Sequence, residues 1–387
     1  MALRFLSAGE SHGPCLTVIV EGVPAGLPLT EEMIAQDLAR RQLKAGAGGR
    51  MVIETDHADI LAGVMDGKTT GAPIALRITN RDHESWENKA IPAYTTARPG
   101  HADLAACVKY GYNDIRIALE RSSARETACR VAAGAIARAF LRTFGIEVDS
   151  VVSSIGDIPE TETPLEEALV FAACSPLRAP NEAAEVAYTE IIRKAKKDGD
   201  TLGGILTLVA KGLPIGLGSY VTPERRLDAR IGAAMFATNA IKGVEFAEAF
   251  KNTTLPGSEL HDPILRNESG HITRPTNRCG GLEAGITNGM PIVVRVAMKP
   301  IPTTLKPQQS IDFATGESAA TTYERSDTCP VPRACVVLES ALLLTLADAL
   351  IEKIGGDSIE EMKPRFDALP TADDISLSPE SKIFWPK

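Results

Sequence analysis

Apolar positions recur at helical spacing over residues 31–43, 124–144, 227–241 and 333–354. Side chains three and four apart share one face, so each segment predicts a helix with an inward stripe. Thr30 stands as cap before the first, and Gly145 ends the second. Runs rich in valine and isoleucine at 16–20, 51–54, 73–79, 205–210 and 291–298 read as strands. Helices and strands do not alternate as regular βαβ units, which predicts an α+β chain.

The pattern repeats. GPCLTVIVEGVPAGL from Gly13 matches GGILTLVAKGLPIGL from Gly203 at Gly, Leu, Thr, Gly, Pro, Gly and Leu. GVMDGKTTGAPIALR from Gly63 matches GLEAGITNGMPIVVR from Gly281 at Gly, Gly, Thr, Gly, Pro, Ile and Arg. Glu120-Arg121-Ser122 answers Glu324-Arg325-Ser326, each ahead of a long helical pattern. Three matches in one order predict a duplication: a single domain over 1–387, made of halves at about 1–190 and 191–360 around a pseudo-twofold axis. Arg121 and Arg325 are then counterparts that could face one ligand. The charged stretch 193–200 falls where the halves meet and reads as a solvated helix end. The tail from Asp373 is expected to be irregular.

The 41 Lys+Arg against 50 Asp+Glu leave a net charge of −9, which argues against a general nucleic-acid or acidic-membrane binder. Seven dispersed cysteines without a Cys-x-x-Cys pair favour reduced thiols in a cytoplasm over disulfides or zinc. No metal site is expected, since no His-x-x-x-His or Cys/His cluster occurs. The most apolar run, 334–350, is interrupted by Glu339 and Asp348, and neither a signal peptide nor a membrane span is expected.

An acidic protein that binds an anion must gather its arginines locally. Arg121-Ser122-Ser123-Ala124-Arg125-Glu126-Thr127 places two arginines and two hydroxyls where a helical pattern opens. Ser123 and Glu126 have capping-box spacing, and a helix N-terminus attracts anions. A surface cap with solvated arginines would use the same residues. His12 and His101 lie in Gly/Pro turns, where backbone approaches a ligand and imidazole exchanges protons near neutral pH. His57, His83, His261 and His271 lack such surroundings. Arg40 and Arg41 close a helical pattern, and Arg50 follows Gly46-Ala47-Gly48-Gly49; anion binding and helix-end electrostatics both account for Arg40 and Arg41. No Walker A loop or Rossmann glycine fingerprint is present. Asn239, Lys242, Lys299 and Thr303 suit the polar edge and phosphate of a flat heterocycle, as they suit ordinary loops. Asp327 reads as a proton acceptor or an arginine's partner.

Taken in order, Gly9-Glu10-Ser11-His12-Gly13, Arg98-Pro99-Gly100-His101-Ala102-Asp103, Arg121 to Thr127, Asn239 to Glu245, Lys299 to Thr304 and Arg325 to Pro332 resemble the chorismate synthase family, from Arg4 to about Ile354. The resemblance implies a β-α-β sandwich, a homotetramer, and a lyase dependent on reduced FMN. Such a lyase converts 5-enolpyruvylshikimate 3-phosphate to chorismate and phosphate by 1,4-anti elimination, in the shikimate pathway. By motif, His12 resembles the acid near the departing phosphate and His101 the one near the flavin's pyrimidine edge. Asp327 resembles the aspartate that assists flavin N5. Arg121, Ser122, Ser123, Asn239, Ala240, Ala284, Lys299, Pro300, Ile301, Pro302, Thr303 and Arg325 match flavin-binding segments. Arg41, Arg50 and Arg125 match arginines that meet the anionic substrate or NADPH.

Two departures stand out. Where the family often has Gly-Tyr-Gly-Arg-Gly, this chain has Lys44-Ala45-Gly46-Ala47-Gly48, losing an arginine tied to reductant or substrate. Ala284 replaces a usual glycine. No added flavin-reductase segment is evident, so externally reduced FMN is expected, with NADPH an indirect reductant. The alternatives are a flavin-independent enolpyruvyl or sugar-phosphate transferase and a non-catalytic anion-binding scaffold. The first lacks a nucleotide loop, and the second leaves the turn histidines unexplained.

Overall fold

The computed structural model describes residues 3–42, 55–324 and 326–386. Arg4–Ala8 (β1), Cys15–Glu21 (β2), Ala58–Ala62 (β3) and Ile74–Thr79 (β4) form an antiparallel sheet in the order β1-β2-β4-β3. Glu147–Ile155 (β5), Gly204–Lys211 (β6), Ile241–Phe246 (β7) and Ile292–Met298 (β8) form a second in the order β5-β6-β8-β7, also antiparallel. The two sheets therefore have the same topology.

The principal helices are Glu31–Arg41 (α1), Asp103–Tyr110 (α2), Ile115–Ser122 (α3), Thr127–Arg142 (α4), Leu165–Cys174 (α5), Glu182–Asp198 (α6), Leu227–Phe236 (α7) and Val331–Ile354 (α8). Alternate residues of a strand face opposite sides, and Leu16, Val18 and Val20 with Ile74, Leu76 and Ile78 bury one face of the first sheet. Helix α4 lies on that sheet, α8 on β5 and β6 of the other, and the two helices pack together with α1 and α7 beside them. The layers are sheet, helices, sheet. The closest approach is at Gly134, where a Cβ would come within 2.3 Å of the Cβ of Ser340. Helix α5 packs on the outer side of the second sheet through Ala168, Leu169 and Ala172 against Val151 and Val209.

Helix α8 is long and apolar enough to cross a membrane, and 89% of its most apolar stretch is buried inside the protein. Fully buried Glu339 in that helix accepts from Arg40 Nη2 at 2.7 Å, Arg138 Nη2 at 2.7 Å, Arg178 Nη2 at 3.0 Å and Ser150 Oγ at 2.6 Å. Burial pushes its carboxyl up, but Arg178, Arg40 and Arg138 outweigh that and bring it to about 2. Arg40 thus belongs to the core.

Several boundaries differ from the sequence reading. Residues 124–144 are not one helix: a 3-10 turn, Ala124–Glu126, precedes α4. The capping box does not form. Ser123 Oγ accepts from Arg125 N at 3.3 Å, whereas Glu126 accepts from Ser7 Oγ at 2.8 Å and Arg130 Nε at 2.9 Å. Arg121 and Ser122 end helix α3 instead of opening the next. Helix α7 stops at Phe236 because Ile241 already pairs with Met298 in β7. The strand expected at 51–54 lies outside the described residues.

Candidate active site

His12 is carried by the β1–β2 connection, and helix α3 places Glu120 against it. Glu120 Oε2 accepts from the His12 backbone N–H at 2.8 Å and Oε1 lies 2.7 Å from Nδ1. Burial raises the Glu120 carboxyl, but the His12 hydrogen bonds outweigh this and hold it below the usual range. The ring packs on Trp86 with centroids 4.0 Å apart, and Asp82 Oδ2 lies 3.9 Å from Nε2. His83 Nδ1 donates to the His12 carbonyl at 2.8 Å, assigning His83 a supporting place the sequence reading did not give it. Ser11 and Ser123 hydroxyls meet at 3.0 Å.

Beside this cluster three guanidiniums face two carboxylates. Arg41 Nη1 donates to Asp56 Oδ2 at 3.0 Å and Nε to Thr127 Oγ1 at 3.0 Å. Arg125 Nη1 donates to the other Asp56 oxygen and Nε to Asn80 Oδ1 at 2.8 Å. Arg333 contacts Asp327, and burial and the nearby Arg41 charge press the Arg333 pKa down to about 9.

His101 sits ahead of helix α2. Its Nδ1 donates to Asp103 Oδ1 at 2.5 Å, and Arg98 Nη2 lies 3.0 Å from Nδ1 and 3.4 Å from Nε2. Arg98 binds Asp103 through Nε at 2.8 Å and Nη2 at 2.9 Å and donates from Nη1 to Thr303 Oγ1 at 3.2 Å. Burial raises the Asp103 carboxyl, yet His101 and Arg98 hold it far below the carboxylate range. Lys299 Nζ donates to the Gly100 carbonyl at 2.8 Å, Ser326 Oγ to the Thr303 carbonyl at 2.8 Å, and Asn239 Nδ2 to the Ser122 carbonyl at 2.9 Å. Burial and the neighbouring Lys242 lower the Lys299 pKa, so a phosphate beside these lysines would relieve their repulsion.

These contacts, with one charge–charge step, link the segments in a circuit. It runs from His12 to Glu120, along the end of α3 to the Ser122 carbonyl that accepts from Asn239 Nδ2, then by the Ala240 carbonyl, which accepts from Lys299 N at 3.0 Å, to the His101 loop. Thr303, Ser326, Asp327 and Arg333 follow, the Arg41 charge reaches Arg333, and Arg41, Asp56, Arg125 and Asn80 lead back to the Gly13 carbonyl, 2.7 Å from Asn80 Nδ2. Ile301 joins by its carbonyl, which accepts from Thr201 Oγ1 at 2.7 Å; Pro300 follows Lys299, and Pro302 approaches Gly100. Arg121 is exposed and donates to Ser7 Oγ at 3.1 Å, while Ser122 Oγ donates to the Ala118 carbonyl within its own helix. Ala284 stands at the tip of a hairpin with φ 50°, in the left-handed region that favours glycine. Arg50, Arg325 and Ala47 lie outside the described residues.

Sequence reasoning missed Glu120, Asp56, Asn80, Asp82, Trp86, Asp103 and Arg333. Only Asp103 carried a local signal, two positions after His101. All seven cysteines are free thiols. Among the described residues, Glu31, His57 and Asp59 bring possible metal-ligand atoms together at the surface, where Arg77 already binds Asp59. A cavity of about 600 Å³ opens elsewhere, lined by Ser153, Thr207, Arg278 and Arg295, and contains none of the predicted site residues.

The family model for chorismate synthase matches residues 3–351. A chorismate synthase of Chlorobium chlorochromatii is 49% identical over 386 residues, covering 95% of this chain and 96% of its own. That of Geobacter sulfurreducens is 48% identical over 383 residues, covering 94% and 98%. A crystal structure of chorismate synthase superposes with a TM-score of 0.78 at 43% identity, covering 95% of this chain and 97% of the other. The chain therefore belongs to the chorismate synthase family, lyases that form chorismate in the shikimate pathway.

Proposed function

We propose that this chain eliminates phosphate from 5-enolpyruvylshikimate 3-phosphate with reduced FMN, in the cytoplasm, as a homotetramer whose subunits are each one domain of two duplicated halves. The observation that carries the reading is the circuit joining the His12 and His101 clusters to the amide- and lysine-bearing segments of the second half. The donor set fits FMN: Lys299 and Lys242 repel each other and form no ion pair among the described residues, while Asn239, Thr303 and the backbone beside Gly100 offer polar partners to a flat ring. The segments expected to hold it are Arg121 to Ser123, Asn239 and Ala240, Ala284, Lys299 to Thr303, and Arg325. When bound, reduced FMN supplies the electron density that side chains lack for breaking a C–H and a C–O bond on opposite faces.

The protein's own groups do the rest. Arg41, Arg50 and Arg125 hold the substrate's anionic groups, and His12, oriented by Glu120, gives its proton to the departing phosphate. His101, fixed by Asp103, holds a proton at the pyrimidine edge. Asp327, pinned by Arg333, helps move the C6 proton. Electrons come from an external flavin reductase, with NADPH as their indirect source.

Anaerobic titration of reduced FMN into the wild type and into Lys299→Ala and Asn239→Ala tests the flavin assignment. Binding to the wild type that weakens in both variants is expected. Equal affinity in all three would remove these segments from the flavin site, and no binding at all would favour the flavin-independent transferase.

A further inference from the structure

Arg116, on helix α3, takes no part in the circuit. Its guanidinium lies over Trp86 at 5.7 Å and over Tyr94 at 5.9 Å from the ring centroids. Its Nε is buried without a hydrogen bond, and among the described residues it forms no ion pair. Both rings lead to the histidines: Trp86 packs on His12 at 4.0 Å, and Tyr94 faces Arg98, the arginine bound to Asp103, at 5.9 Å. An alternating stack of cations and aromatic rings thus runs from one histidine cluster to the other, with Arg116 at its centre.

Aromatic faces attract a cation but accept none of its N–H bonds in plane, so a guanidinium held this way retains its fork of donors for another partner. Buried donors are ordinarily satisfied, and one left open inside a polar site points to an absent acceptor. Carboxylate and phosphate are the acceptors whose geometry matches the fork. Glu120, four positions along the chain, is already engaged by His12, and the Arg116 charge helps lower its carboxyl; Asp114 is taken by the Arg116 backbone N–H at 2.8 Å.

We propose that Arg116 is a further substrate-binding residue, an aromatic-clamped cation that takes an oxyanion of the substrate between the two histidines. The inference rests on the function proposed above. Its test uses holoenzyme with reduced FMN and the variants Arg116→Ala and Arg116→Lys, measuring kcat, KM, FMN affinity, and inhibition by inorganic phosphate and by chorismate. Loss of a desolvated charge-assisted pair predicts a KM about 30-fold higher or more for Arg116→Ala, with kcat and FMN affinity little changed and partial recovery in Arg116→Lys. Weaker phosphate inhibition with unchanged chorismate inhibition assigns the phosphate; the reverse assigns a carboxylate. Unchanged KM and unchanged inhibition by both, or a joint fall in kcat, FMN affinity and thermal stability that lysine does not restore, overturns the proposal. A wild type inactive toward the enolpyruvyl substrate refutes the function instead, and calorimetric titration of inorganic phosphate into wild type and Arg116→Ala still decides whether Arg116 binds an oxyanion: equal affinity overturns it.

Discussion

Each of the two turn imidazoles is held at Nδ1 by a carboxylate, Glu120 for His12 and Asp103 for His101, while Nε2 faces Asp82 in His12 and Arg98 in His101. His12→Ala and His101→Ala are each expected to lower turnover about 10²- to 10⁴-fold while the circular dichroism spectrum stays that of the wild type. A folded variant with wild-type turnover would remove that histidine from the mechanism. Asp327→Asn separates two roles: single-turnover kinetics at saturating reduced FMN and substrate should slow if the carboxylate moves a proton. A normal chemical rate with weaker ligand binding would leave it only as the partner of Arg333. The sequence marked both imidazoles through their glycine-rich turns. It could not mark Glu120, which is 108 positions from His12 and meets it only when α3 is docked beside the β1–β2 connection. Arg125 was legible as a cation; its sharing of Asp56 with Arg41 was not, since that pairing is purely tertiary.

Among the elements, long helices and buried strands were legible because burial imposes an unbroken period. The reading failed where short polar segments are fixed by tertiary partners: β1, an alternating edge strand, pairs with β2, and β7 follows α7 so closely that its first residues completed the helical pattern. The supposed single helix at 124–144 breaks because Ser123 turns toward Ser11 and Glu126 toward Ser7, partners no local rule supplies. The hairpin tips of the two halves carry one clear comparison. Asp66-Gly67 has φ of 50° and 70°, and Ala284-Gly285 has φ of 50° and 78°. Two positive φ values suit Asp-Gly or Asn-Gly, whereas alanine in this region is strained. Ala284→Gly is expected to stabilise the protein by about 0.5–1 kcal/mol, or to raise Tm slightly, since the relief of strain exceeds the added chain entropy. A lower Tm would show that Ala284 makes a packing contribution larger than its strain.

For the whole molecule, the two sheets share one strand order, with Glu339 binding Arg40, Arg138 and Arg178 between them. Its folded carboxyl sits at about 2, below the ordinary glutamate value of 4.5. A depressed acid stabilises the fold above the unfolded value, and that contribution fades as pH falls from about 4.5 through about 2. Urea midpoints should therefore drop across this window in the wild type. Glu339→Gln leaves the arginines without their counter-charge and should cost about 3–5 kcal/mol near neutral pH while flattening the acid drop. An unchanged urea midpoint would contradict the account of the core. Sedimentation should give about four times the 41.2 kDa chain if the proposed tetramer forms. The central claim is that the two histidine clusters belong to one flavin-dependent elimination site. Anaerobic incubation of the purified protein with 5-enolpyruvylshikimate 3-phosphate, with and without dithionite-reduced FMN, tests it most directly. Chorismate and phosphate released in equal amounts only when reduced FMN is present is the predicted result; equal turnover without flavin, or none with it, would contradict the account.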